Sequence, residues 1–356
     1  MVTHLLPDRP RFLAALAQVA DVVGIIPKPS SINAAALAWA RHRFRVIDIT
    51  RSGLGGPDGR RLLRSLTSAG RPLVLLDMGG YFAPSLREVR DGRAEGILGV
   101  VEDTENGYQR YLSDSQRREP PVPIYSLARS PLKDPEDYLV GHSVVFSVER
   151  LIRSCGHVLQ GREAVVFGYG KVGRSIAAVM QSKNIHTLVV EPDPIRAIEA
   201  LSRGFRTVDK QAALQVGTLL LGASGHLSLL ASDLEHVRDG AFIASVTSHD
   251  DELELDDSVR RSSFSGPATT YTREDIMPHV TRYARPGQHF YVMNRGDAVN
   301  FLDSAVVGPF IYLVQAELLA ALHILATAPP DPGFYEVPQE ARSRIATTWL
   351  ETYASD

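Results

Sequence analysis

The sequence predicts an α/β protein: two open parallel sheets in succession, the second opened by a glycine turn, with a helical segment at the C-terminal end. Three observations carry this. Short apolar runs alternate with amphipathic stretches between residues 21 and 102. A second series of the same kind starts at Glu163. An apolar stretch at 309–326 then leads through a proline-rich passage into a last amphipathic segment.

The runs at 21–26, 44–50, 72–78 and 96–102 are short, continuous and rich in Val, Ile and Leu. That is the pattern of parallel strands covered on both faces. Between them, 31–42, 59–69 and 84–91 read as helices or turns. After the proline-bearing 119–137, one long helix is expected over 138–159, ending near Gly161. The second series places strands at 164–168, 186–191, 217–222 and 241–246, with a further strand at 289–294. The stretch 309–326 is apolar nearly all round, so it is expected to be buried, either against the first domain or at a subunit contact. A final helix is expected over 339–352.

Composition narrows the function. With 44% apolar and 22% charged residues the chain reads as an ordinary globular protein, and its net charge of −3 with no basic stripe gives nucleic-acid binding no electrostatic support. The single cysteine, Cys155, excludes a disulfide framework and a multi-cysteine zinc site, and no metal is expected. The N-terminal stretch is interrupted by Asp21 and has no cleavage pattern. No uninterrupted run is long enough to span a bilayer, so no membrane association and a cytoplasmic location are expected. Lysine occurs only at 28, 133, 171, 183 and 210, with arginine supplying the other cations, which singles out each lysine.

"VVFGYGKVG" (165–173) fits a dinucleotide-binding turn. Gly168 allows the tight turn, Gly170 lets the backbone approach a pyrophosphate, and Gly173 lets helix pack on strand. The helix from Lys171 would aim its positive end at the phosphates. Glu191 closes the next strand, 23 residues after Gly168. A carboxylate there accepts hydrogen bonds from ribose hydroxyls and repels a 2′-phosphate, so NAD is the expected cofactor. Arg196 nearby keeps NADP as the alternative.

With the fingerprint placed mid-chain, other segments fall into order. "LLDMGG" (75–80), "GVVEDTENGYQRY" (99–111), "PIYSLARSPLKDPEDYLVG" (123–141), "RGDAVNF" (295–301) and "PDPGFYEVPQEARSRIA" (330–346) match, in order, motifs of one family. The chain resembles the S-adenosylhomocysteine hydrolase family from about Asp21 to Ile345, most strongly over 96–191. The resemblance implies a substrate domain at 1–141 with 309–356, an NAD domain at 142–308, a small-molecule nucleoside substrate, and a homodimer or homotetramer. In that family tightly held NAD oxidises the ribose 3′-hydroxyl, the 5′ substituent is eliminated, water adds, and the cofactor is regenerated.

Carried over position by position, Lys133 matches the lysine beside the 3′-hydroxyl and Asp137 its aspartate partner. An uncharged lysine amine can accept the hydroxyl proton. Asp103 and Thr104 match a Glu and a Thr that hold sugar and nicotinamide. Glu105 and Asn106 stand where two threonines approach the cofactor, and Asn300 matches an asparagine on the nicotinamide amide. Lys171, Val172 and Ser224 join the expected cofactor contacts; Ser31, Asn33 and Met78 join the expected substrate contacts.

The departures carry information too. The substrate-domain histidine falls within "IIPKPSSIN", which offers Lys28, Pro29 or Ser30. The second Asp of the Asp-Asp-Gly-Gly stretch is Met78. A cysteine becomes His142 or Ser143, a His-Pro pair becomes Gly308-Pro309, another histidine falls at Ser248 or His249, and an asparagine becomes Ala128. The 3′-oxidation group is kept while the groups for the later steps are replaced. The expectation is therefore a lyase of dehydratase type that stops at the alkene, with His249 as a catalytic residue of the later steps. A true hydrolase with Lys28, His142 or His249 in the lost roles is the second reading, and a non-catalytic NAD-binding sensor the third.

Overall fold

The computed structural model describes residues 1–67, 70–87, 96–115, 119–247, 252–255 and 271–354. The chain divides into two compact units, Met1–Glu136 with Gly308–Asp356, and Asp137–Val307.

In the first unit, β3 (Leu73–Asp77), β4 (Ile97–Glu102), β5 (Pro123–Ser126) and β14 (Gly333–Tyr335) form a parallel sheet in the order β14-β5-β4-β3. A separate parallel pair joins β1 (Val2–Leu5) to β2 (Ile26–Ile32). The strands expected at 72–78 and 96–102 are present. The run expected at 21–26 is displaced: the strand is "IPKPSSI", with Pro27 and Pro29 inside it. Prolines are tolerated there because β2 has a strand partner on one side only. The run at 44–50 forms no strand, only one bridge between Ile25 and Val46. Its apolar side chains Ile47 and Ile49 pack against a core cluster without joining a ladder.

The helix Ile311–Thr327 lies against this sheet, with Leu313, Val314, Leu318, Ala321 and Leu325 buried. A Cβ on Gly99 would come 2.6 Å from Leu325, so β4 accepts the helix only because position 99 is bare. With its preceding turn (Gly308–Thr327) this is the one described helix long and apolar enough to cross a membrane. Here it carries Glu317, fully buried and ion-paired to Arg342 at 2.7 Å from the last helix, Gln339–Tyr353. The expected burial against the first domain is thus found, and the polar pair fixes the two C-terminal helices together.

In the second unit eight strands run β11-β12-β13-β10-β9-β6-β7-β8. Their bounds are β6 (Glu163–Phe167), β7 (His186–Val190), β8 (Arg206–Thr207), β9 (Leu219–Gly222), β10 (Ala241–Ser245), β11 (Thr272–Met277), β12 (Val280–Arg285) and β13 (Gln288–Met293). All neighbours from β13 to β8 are parallel, while β11-β12-β13 is an antiparallel meander. The meander extension was not legible. β11 is exposed along almost its whole length, so its sequence "TREDIM" has no buried face to signal a strand. The long helix begins at Asp134 and ends at Ser154, earlier at both ends than expected.

Candidate active site

The first unit gathers chemistry-bearing side chains at the C-terminal ends of its parallel strands, where open α/β sheets bind ligands. Asp77 ends β3 and Glu102 ends β4, opposite one another in register. Both are buried. Glu102 Oε1 accepts from the amides of Gly79 (3.0 Å) and Thr104 (2.7 Å) and from the Thr104 hydroxyl (2.7 Å), while Oε2 accepts from Gly80 N (2.9 Å). Burial first, then the neighbouring Asp77, push its pKa up to about 8, outweighing these donors. Asp77 Oδ2 accepts from Phe82 N (3.0 Å) and the Tyr111 hydroxyl (2.6 Å). Its Oδ1 has no partner, and burial raises its pKa as well. Glu102 thereby pins the Gly79-Gly80 turn to the start of the helix Glu105–Ser115. Sequence reasoning missed this residue, yet a carboxylate closing the wholly apolar "ILGVV" was its signal, since a buried acid must find several donors.

Lys133 is 8% exposed, on a short 3₁₀ turn, Pro131–Lys133. Ser130 Oγ accepts from Leu132 N (3.2 Å) and donates to Glu317 Oε2 (2.5 Å), so the apolar C-terminal helix holds the lysine's turn in place. Lys133 Nζ lies 3.3 Å from Asp103 Oδ1 and 2.7 Å from Glu136 Oε2. Glu136 is thus a neighbour of the lysine that the sequence reading did not name beside Asp137. Three-residue spacing brings side chains together where a 3₁₀ turn runs into a helix. Asp137 lies in the second unit, 3.7 Å from Lys171 Nζ. Ser130, Glu136 and Glu317 were not singled out from sequence.

Ser31 is buried on β2 and hydrogen-bonds His4 Nδ1 across to β1. His4 went unnoticed because it sits in an unremarked N-terminal strand. Burial and the charges of Lys28, Arg9 and Lys133 hold its imidazole well below the ordinary histidine value, so it is neutral at pH 7. Lys28 Nζ stands 5.8 Å from the Tyr81 ring centre. Other expected contacts have local duties. Asn33 caps the helix Ala34–Arg43, accepting from Ala36 N at 3.1 Å. The Thr104 hydroxyl accepts from Gly107 N at 3.0 Å. Met78 is buried in an apolar cluster with Phe12, Leu76 and Val101. Asn106 lies in the first turn of the helix Glu105–Ser115. His142 is exposed in the second unit and meets Tyr138 edge to face, ring centres 4.6 Å apart. His249 lies outside the described residues.

In the second unit the glycine turn sits between β6 and the helix Lys171–Ser182. Gly168 has φ of 94°, and a Cβ there would come 2.6 Å from Ser224 Cα. Ser224 thus borders the turn through its backbone, while its hydroxyl donates to His226 O (2.6 Å) and Glu252 Oε2 (3.0 Å). A Cβ on Gly173 would collide with Gly168 O. Gly170 differs: a Cβ there would meet only Arg196 Nη1, at 4.0 Å, and Gly170 caps the helix without a side-chain bond. Two glycines are closed by protein and the middle one faces open space beside a guanidinium and a helix N-terminus. Lys171 and Val172 follow in the helix's first turn. Glu191, just after β7, is fixed by Tyr169 N (2.6 Å) on Oε2 and Asp193 N (2.9 Å) on Oε1. Asn300 is buried with its Oδ1 unpartnered, an acceptor waiting for a donor. The open cradle, the helix end, the ribose-side acid and the orphaned amide oxygen all suit a nicotinamide dinucleotide.

The class is thus a Rossmann unit that binds NAD, joined to a second α/β unit with a buried acid–lysine cluster. Residues 137–306 match the family model described as "S-adenosyl-L-homocysteine hydrolase, NAD binding domain". The S-inosyl-L-homocysteine hydrolase of Methanopyrus kandleri is 27% identical over 292 residues, 79% of this chain and 66% of its own length. That of Methanothermobacter thermautotrophicus is 27% identical over 290 residues, again 79% of this chain and 66% of its own. The adenosylhomocysteinase of Thermotoga maritima is 25% identical over 291 residues, 79% and 69%. The chain is similar to the S-adenosylhomocysteine hydrolase family through this domain and these relatives, its cofactor is NAD, and it spans about two thirds of the length of the relatives it matches.

Proposed function

We propose that the chain is an NAD-dependent nucleoside enzyme of lyase type: it oxidises the 3′-hydroxyl, removes the C4′ proton that the ketone acidifies together with the 5′ substituent to leave a 4′,5′-alkene, and returns the hydride to C3′ without adding water. The observation that carries this reading is the burial of Lys133 between Asp103 and Glu136 at the strand ends of the first unit. NAD, when bound, supplies the capacity to take a hydride from a carbon bearing a hydroxyl. Gly168, Gly170 and Gly173, with Lys171 and Val172, would cradle its phosphates. Glu191 would hold its ribose, with Arg196 beside the phosphates and Asn300 at the nicotinamide amide. Lys133, in its uncharged form, accepts the 3′-hydroxyl proton, and Asp103 and Glu136 stabilise the ammonium that forms. Asp103 also orients the sugar. Thr104, through Glu102, keeps the Gly79-Gly80 turn in shape for the ligand. Asp137 and Ser31 complete the substrate contacts.

A second reading, hydrolysis of an S-nucleosyl-homocysteine, is favoured by the activities named for the relatives. Neutral His4 provides a base of the kind that the missing family histidine would supply. Incubation of NAD-loaded protein with adenosine, inosine, S-adenosylhomocysteine and S-inosylhomocysteine decides. Release of a 5′ group with an unsaturated sugar is the expected result. A free homocysteine thiol with an intact nucleoside establishes the hydrolase instead. Unchanged nicotinamide absorbance with every substrate removes both and leaves an NAD-binding sensor.

A further inference from the structure

One buried charge has no part in the chemistry above. Arg9 is 4% exposed and opens the helix Arg9–Val19 directly after β1, and among the described residues its guanidinium has neither an ion pair nor a hydrogen bond. Its Nε is enclosed with no acceptor. The Phe12 ring lies 5.4 Å from the guanidinium carbon, a weak attraction beside the penalty of burying an unpaired cation. Phe12 shares an apolar cluster with Met78 and Leu127, which follow β3 and β5, so Arg9 stands at the end of the sheet that carries the candidate site. The backbone amides of the helix's first turn are already used: Arg9 N bonds Leu6 O, Arg11 N bonds Asp8 O, and Pro10 has none. Any recognition there falls on side chains. Lys28 and Lys133 add positive charge around His4. Asp103 and Glu136 answer Lys133, and no carboxylate answers Arg9.

We propose that Arg9, with Lys28 and Ser31, forms an oxyanion subsite in the first unit that takes a phosphate or carboxylate group carried by the substrate. The guanidinium offers the two-pronged donor that such groups match and the lysine adds a second charge, while the Ser31 hydroxyl, which donates to Lys28 O at 3.3 Å, holds the lysine's backbone and would have to turn from it to reach the anion. The ligand then supplies the counter-charge that the protein lacks. This deepens the nucleoside reading by making the substrate an anionic one, and rests on that reading for the identity of the rest of the ligand.

The test uses the full chain loaded with NAD, at constant ionic strength, titrated calorimetrically with inorganic phosphate, acetate, adenosine and adenosine 5′-monophosphate. Wild type should bind phosphate or acetate saturably, with thermal unfolding shifted upward, and prefer the monophosphate to adenosine if phosphate is the better probe. A preference for acetate makes the group a carboxylate. Arg9→Met removes an uncompensated buried charge, so it should melt at least as high as wild type without ligand, and should bind the anion at least about tenfold more weakly. Arg9→Lys, which keeps charge but loses the fork, should fall between. Equal anion affinity in wild type and Arg9→Met overturns the proposal. Should Arg9→Met not fold, wild-type affinity in Arg9→Lys overturns it. No turnover is involved, so the two readings fail separately. Arg9-dependent phosphate binding in a protein whose nicotinamide absorbance never changes keeps the subsite and removes the nucleoside enzyme; turnover of neutral nucleosides by a chain indifferent to Arg9 does the reverse.

Discussion

The two units place their functional groups by different rules. In the second, the glycine turn, its helix and Glu191 come from one strand–turn–helix–strand segment, so local sequence fixes their geometry. In the first, the cluster draws on positions as far apart as His4, Lys28, Asp103, Lys133 and Glu317, joined only when parallel strand ends come together. A local motif tolerates divergence around it and stays recognisable. A site assembled from strand ends can exchange its members one at a time, as at Met78, an apolar residue directly after the Asp77 carboxylate.

The largest effect should separate the units outright. Lys133→Ala is expected to bind NAD as wild type does while losing substrate-dependent nicotinamide absorbance by about a hundredfold or more in rate, the scale of a removed general base. Lys133→Arg should fail as well, because a guanidinium does not give up its proton. Stopped-flow absorbance checks both; full-amplitude change in Lys133→Ala removes the lysine from the redox step.

Within the glycine turn a sharper contrast is expected. Gly173→Ala sets a methyl against Gly168 O and should destabilise the second unit by roughly 1–3 kcal/mol, as overpacking does. Gly170→Ala meets open space, so its melting should stay near wild type while NAD affinity falls. Equal loss of stability in the two variants would show that Gly170 is a packing glycine too.

Glu191→Gln removes one negative charge beside the expected ribose and keeps the side chain's shape. The preference for NAD over NADP should shrink by about tenfold, equivalent to ~1.4 kcal/mol. Competitive titration of both cofactors measures this, and an unaltered ratio would transfer discrimination to Arg196.

The smallest effect compares one buried acid in each unit. Burial raises Glu102 to about 8 and Glu252 to about 7, well above their unfolded values. Each native carboxyl keeps its proton where the unfolded one has lost it. Their contribution is therefore complete below the unfolded pKa near 4.5 and declines as pH rises toward about 8 in the first unit and about 7 in the second. Glu102→Gln should flatten that decline for the first unit alone, by at most about 1.4 kcal/mol per pH unit. Glu252→Gln should do so for the second. Hydrogen exchange at β4 and β9 as a function of pH would read the units individually, and a slope unchanged by Glu102→Gln would mean that the carboxyl ionises inside the fold.

Much of the second unit was legible because its signals are periodic and short-range: apolar strands at 164–168 and 186–191, a glycine pattern between them, an acid at the following strand end. Where the pattern lost contrast, the reading slipped. β11 has no buried face, and β2 carries two prolines because it pairs on one side only. In the first unit, the motifs located Asp103 and Lys133 but not Glu136 beside them, since sequence spacing alone does not say that a 3₁₀ turn precedes the helix.

By itself the sequence determined the α/β class, the dinucleotide turn, NAD as the cofactor and the similarity to the S-adenosylhomocysteine hydrolases, because each depends on residue type at fixed local spacing. Only the tertiary structure decided which charges are paired. Glu136 stands beside Lys133, Glu317 holds Ser130 and Arg342, Glu102 gathers four donors, and Arg9 Nε is enclosed with no acceptor among the described residues. Burial and counter-charge are properties of the packed chain: a carboxylate or guanidinium reads the same in sequence whether it ends in water or in a core, and its energy differs by several kcal/mol between the two.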